Sequence, residues 1–142
     1  MVDPDVISRR VLALSESVGH LASSDAADPV RLASDAMLRA AVERWLQVAI
    51  EACIDIAYHV VAGNEWTPPD TARGAFLTLA AHGLIAHDLA LRLGAAAGLR
   101  NVLVHDYVAV DLERLARVVR EDLDDLARFS SAAAALVQQA QG

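Results

Sequence analysis

The stretch ERWLQVAIEACIDIAYHVV, residues 43–61, decides the fold class. Trp45, Leu46, Ala49, Cys53, Ile56 and Val60 recur at helical spacing, and Leu38 and Val42 carry the stripe towards the N-terminus. Two carboxylates, Glu51 and Asp55, interrupt this apolar surface one helical turn apart. Paired carboxylates suit acid–base work. Acidic side chains so close to a core also serve to hold an arginine, and Arg100 is the obvious partner.

Working outward, the rest of the chain reads the same way. Of 142 residues, 29 are alanine and 19 leucine, while only six are aromatic, which favours helix and leaves little material for strands. One domain spanning residues 1–142 is expected, and a chain of this length buries roughly two-thirds of its unfolded surface. The spacing predicts five helical segments. The first runs from about Asp5 to Ala22, with Val6, Val11, Leu14, Val18 and Leu21 near helical spacing. Asp28-Pro29 reads as an N-cap and first helical position. From there a long helix reaches about Val61, with a kink or restart expected near Ser34-Asp35 and a stop at Gly63-Asn64. A third helix covers about Thr71 to His82 and ends at Gly83; a fourth begins near Ala86.

The last helix follows Asp111 and reaches about Gln139, burying Leu112, Leu115, Val119, Leu123 and Leu126. Four i,i+4 pairs are expected on its outer face: Glu113–Arg117, Arg117–Glu121, Arg120–Asp124 and Asp124–Arg128. EDLDD, residues 121–125, therefore reads as solvated surface rather than a metal site. Gly94 and Gly98, inside the fourth helix, imply a packing or close-approach reason.

The net charge is −7, and all twelve cationic side chains are arginine. Such a balance argues against broad, charge-driven nucleic-acid binding but leaves room for a small arginine pocket. The lone cysteine, Cys53, reads as a buried core residue and excludes an internal disulfide. MVDPDVISRR lacks the apolar run of a signal peptide. No uncharged apolar stretch reaches the roughly 18 residues of a membrane span, so a cytoplasmic protein without membrane attachment is expected. Five histidines lack the spacing of a zinc site, and no metal or cofactor is expected.

The chemistry concentrates in LRNVLVHDY, residues 99–107. On a continuous helix Arg100 and Tyr107 lie within about 20° of each other, and Asn101 and His105 about 40° apart. These are two polar strips rather than one cluster, and the helix is expected to lose regularity at His105-Asp106-Tyr107. Arginine, histidine and a hydroxyl suit phosphodiester chemistry: imidazole transfers protons near neutrality and guanidinium stabilises a pentacoordinate phosphate. An interhelical hydrogen-bond seam is the competing reading of the same residues.

R-x4-H-x-Y, here Arg100 to Tyr107, resembles the signature of the HepT-like toxins of the HEPN superfamily. Asn101 after the arginine also fits, as does E-x3-D at Glu51 and Asp55 within a long helix. The likeness extends from about Leu38 to Phe129. It implies a HEPN-type helical bundle and a metal-independent RNA endonuclease acting on tRNA or mRNA as a homodimer, with the motif at the dimer interface. It implies that Arg100 binds the scissile phosphate, His105 acts as general acid or base, and Asn101 orients phosphate or histidine. Glu51 and Asp55 would support the cleft from behind. It further implies a nucleotidyltransferase antitoxin of the MntA type that silences the toxin by transferring AMP to Tyr107. A catalytically silent HEPN protein serving as binding partner of a nucleotidyltransferase is the alternative.

Overall fold

A computed structural model describes the backbone of residues 1–105 and 111–141, and the side chains of residues 1–100 and 111–140. Among the described residues six helices form an all-α bundle: α1 (Pro4–Ser23), α2 (Pro29–Ser34), α3 (Ala36–Gly63), α4 (Ala72–Ala81), α5 (His87–His105) and α6 (Leu112–Gln141). Side-chain caps explain most of the helix starts. Asp3 accepts from the Asp5 amide ahead of Pro4, and Asp28 accepts from Val30 and Arg31 ahead of Pro29. Thr71 and Asp111 cap α4 and α6 in the same way. Each side chain satisfies amides that have no partner inside the first helical turn.

The expected restart after Ser34 is complete, which makes six helices of the expected five. Asp35 leaves helical geometry (φ −130°, ψ 97°), and its carboxylate accepts from the amides of Met37 and Leu38. At its other end α3 runs through Gly63, and it is Glu65 that takes the left-handed turn, with φ 58°. Gly63 is needed for a different reason. A Cβ there would stand 2.9 Å from the backbone of Met1 and Val2.

Helix α3 packs against every other helix; α1 and α6 pack on it and on each other, as do α4 and α5. The expected stripe is buried at Val42, Leu46, Ala49, Cys53, Ile56 and Val60, while Leu38 and Trp45 are half-buried. Burial raises the pKa of the Cys53 thiol far above its ordinary range, so Cys53 is packing material and not a nucleophile. Along α1 the buried row is headed by Ile7 rather than Val6, followed by Leu14, Ser17 and Leu21. An 18-residue window of α3 is long and apolar enough to cross a membrane (mean hydropathy 1.3), and 56% of that window is buried inside the bundle. That is the pattern of a core helix.

On α6 the buried row is Leu115, Ala116, Val119, Leu126, Phe129 and Ala133, with Leu112 and Leu123 half-buried. Phe129 meets Phe76 of α4 edge to face, ring centroids 5.7 Å apart. The polar side of α6 departs from expectation. Asp125 is only 5% exposed, and both its oxygens take the Arg92 Nε–H at 3.0 Å. Arg92 also reaches Asp88, 3.1 Å away, so one guanidinium ties α5 to α6. Among the described residues none of the four expected i,i+4 pairs closes to ion-pair distance. Arg120 instead donates to the Ala27 carbonyl at 3.0 Å, and Arg128 turns to Asp125, 3.8 Å away. Carbonyls and carboxylates half-hidden between helices outcompete exposed partners one turn away, because exposed pairs yield so little.

Asp122, half-buried beside this cluster, has its pKa pushed up to about 6 by desolvation, then by Asp125 and Glu121, with Arg92 offsetting part. The folded state therefore holds this proton more tightly than the unfolded chain, whose value is 3.8. Stability from this group is complete below that value and is lost as pH rises through about 6. Asp122→Asn is expected to raise stability at pH 7.5 by about 1 kcal/mol, after discounting for solvent screening. Urea unfolding at neutral and at acidic pH checks this. The gain should vanish below the unfolded pKa, and an equal gain at both pH values would refute the cause given.

Candidate active site

Three of the expected site residues lie on α5, whose C-terminal part carries Arg100, Asn101 and His105. Arg100 is described in full. For Asn101 and His105 only the helical backbone is described, and Tyr107 lies outside the described residues. The Arg100 guanidinium stands 4.0 Å from the Glu51 carboxylate on α3, with side chains 32% and 39% exposed. Its Nε is buried and has no hydrogen-bond partner among the described residues.

Glu51 and Asp55 do not act together. Asp55 faces Arg10 of α1, 3.6 Å away, so each carboxylate carries its own arginine. This arrangement favours arginine holding over an acid–base pair. It also weighs against a purely structural role for Arg100. A half-exposed pair at 4.0 Å contributes about 0–1 kcal/mol. Arg100→Ala should therefore leave the urea midpoint nearly unchanged; a loss of several kcal/mol would mark it as a structural tie.

Next to Arg100, a cavity of about 370 Å³ opens between α3, the start of α4 and α5. Tyr58, Thr71, Arg73, Gly94 and Gly98 line it together with Arg100. Sequence reasoning did not assemble this group. Tyr58 carried a weak signal, since it continues the row of Glu51 and Asp55 by one more turn along α3. Arg73 carried none, because it comes from another element.

Three histidines have structural partners. His20 stacks on Trp45 with ring centroids 5.0 Å apart, and His82 on Trp66 at 3.6 Å. His59 accepts the Asp3 amide at 3.0 Å through Nε2. Among the described residues no three His, Cys, Asp or Glu side chains converge as a metal site would require.

Comparison with known proteins gives a consistent picture. Residues 5–133 match the family described as ribonuclease HepT-like. The mRNA nuclease HepT of Shewanella oneidensis is 31% identical over 125 residues, covering 88% of this chain and 93% of that protein. The tRNA nuclease HepT of Aphanizomenon flos-aquae is 27% identical over 110 residues, 78% of this chain and 75% of that one. The fold superposes with a TM-score of 0.82 on the tri-AMPylated Shewanella oneidensis HEPN toxin, seen in complex with its MNT antitoxin. That structure is 30% identical, and the match covers 92% of this chain and 98% of that one. The fold recurs in the cytosolic protein YutE of Bacillus subtilis, with a TM-score of 0.85 at 16% identity. With nearly its whole length matched in sequence and in structure, this six-helix chain belongs to the HepT-like ribonuclease family.

Proposed function

We propose that this protein is the ribonuclease toxin of a toxin–antitoxin pair, a metal-independent endonuclease whose R-x4-H-x-Y elements meet across a homodimer. Residues 1–142 act as one HEPN-like domain. The observation that carries this reading is Arg100: half-exposed, loosely held by Glu51, with a buried Nε unpartnered among the described residues. It lies five residues ahead of His105 on the same helix. An arginine held in place without being neutralised in a tight pair is a ready ligand for phosphate.

In the cleft, Arg100 takes the scissile phosphate and Asn101 orients it. His105 accepts the proton of the ribose 2′-hydroxyl as that oxygen attacks phosphorus. The new 2′-O–P bond forms as the P–O5′ bond breaks, and an imidazolium protonates the departing 5′-oxygen. RNA brings its own nucleophile, so the sequence of bond changes requires no metal. The two-fold axis brings together polar strips that diverge on a single helix.

The nucleotidyltransferase antitoxin transfers AMP to Tyr107. The phenolic oxygen attacks the α-phosphate of ATP and pyrophosphate leaves. A bulky anion at that position competes with RNA for Arg100. The Shewanella toxin seen tri-AMPylated beside its antitoxin supports this part of the reading.

The test is cleavage of tRNA and mRNA in EDTA by protein made without any nucleotidyltransferase. Cleavage that stops after incubation with the antitoxin and ATP, with AMP mapped to Tyr107, is the expected result. RNA left intact by the unmodified dimer would move the assignment to a catalytically silent partner of the nucleotidyltransferase.

A further inference from the structure

We propose that the cavity between α3, α4 and α5 is the subsite for the nucleotide next to the scissile phosphate. Tyr58 stacks on its base and Arg73 takes its outer phosphate. The inference rests on the nuclease reading above and names what that site recognises beyond the bond it cuts.

Arg100 stands in the wall of this cavity, so the cavity lies within reach of a nucleotide adjoining a scissile phosphate held on Arg100. A volume of about 370 Å³ falls at the small-ligand end of binding pockets, enough for one nucleotide and too small for a duplex. Tyr58 is among the few large apolar side chains left exposed, at 37%. Its ring is thus spare for stacking, the sequence-tolerant way in which proteins hold single-stranded bases.

Arg73 forms no ion pair with any carboxylate among the described residues, and its position is set by a glycine. A Cβ on Gly94 would stand 2.9 Å from Arg73 Cγ and 3.4 Å from its Cα. Glycine at this one position lets the arginine stem lie against α5. Gly98, by contrast, would place a Cβ in open space, so its bare backbone enlarges the cavity floor. Asp70 is the one carboxylate among the residues that line the cavity, beside Arg73 and Arg100. That carboxylate disfavours a free phosphate ion and suits a nucleoside, whose base N–H groups it can accept. In a chain of net charge −7, recognition is concentrated in this two-arginine pocket instead of being spread over a basic face.

The experiment measures binding of a short, fluorescein-labelled, single-stranded oligonucleotide with randomised sequence and 2′-O-methyl riboses, which cannot be cut. Fluorescence anisotropy across a salt series is compared for wild type, Tyr58→Ala, Tyr58→Phe and Arg73→Gln. All three substitutions fall on exposed side chains, and matched unfolding midpoints confirm that the variants fold. Tyr58→Ala is expected to weaken binding about tenfold while Tyr58→Phe binds as wild type, because stacking needs the ring and not the hydroxyl. Arg73→Gln is expected to weaken binding and to flatten the slope of log affinity against log salt by about 0.7, one phosphate contact.

Wild-type affinity and slope in both Tyr58→Ala and Arg73→Gln would overturn the subsite, as would failure of the wild type to bind the oligonucleotide. Cleavage of unmodified RNA by wild type and not by His105→Ala is followed in parallel. Cleavage with unaffected binding in the variants sinks the subsite alone. Binding that depends on Tyr58 and Arg73 without any cleavage sinks the nuclease reading and leaves a nucleotide-binding site.

Discussion

His105→Ala is expected to slow RNA cleavage by about 10²- to 10⁴-fold, the usual contribution of a positioned general acid or base. His105 closes the described part of α5, one and a half turns beyond Arg100, where removing an imidazole leaves the helix backbone bonded as before. The variant should therefore keep its unfolding midpoint and its oligomeric state while losing activity. Single-turnover cleavage beside urea unfolding separates the two effects. Arg100→Ala should fall in the same range of activity for a different reason, loss of the charge proposed to stabilise the phosphorane. A His105→Ala protein that cuts RNA at the wild-type rate would remove the histidine from the mechanism, whatever else the family shares.

The largest expected effect on stability belongs to Phe76→Ala, at about 3–5 kcal/mol. Phe76 and Phe129 are 1% and 2% exposed and meet edge to face at an interplanar angle of 89°. Truncation loses the transfer energy of the ring, the edge-to-face contact and the packing of the cavity left behind. Against a total stability of about 5–15 kcal/mol, this is enough to leave the variant marginal at 37 °C. Phe76→Leu should retain most of the stability, because it fills much of the same space. The loss also reaches the proposed site. Helix α4 is ten residues long, carries Arg73 in its first turn, and meets α6 through this aromatic pair. A Phe76→Ala midpoint within about 1 kcal/mol of wild type would show that α4 repacks freely.

Much of this was legible in local sequence. Asp28-Pro29, Asp35 and Thr71 announce helix starts because a short polar side chain ahead of a helix can take only a few orphan amides. The stripe from Val42 to Val60 marks the central helix because a period near 3.6 puts those residues on one face. The motif from Arg100 to Tyr107 and the E-x3-D pair pointed to the family, and the comparisons bear that out.

Other features depended on packing. Nothing in EDLDD ranks its three aspartates, yet Asp125 is buried, Asp122 half-buried and Asp124 exposed, and it is Asp125 that Arg92 of α5 meets. Glu51 and Asp55 look like a pair along the chain but are divided between α5 and α1. Tyr58, Arg73 and Arg100 come from three helices and become neighbours only where α4 crosses close over Gly94. Periodicity within one segment determined which faces of this protein are apolar, since that follows from backbone geometry alone. Which charge meets which, and which side chains share a cavity, were decided by how the helices cross, a long-range outcome that no single segment encodes.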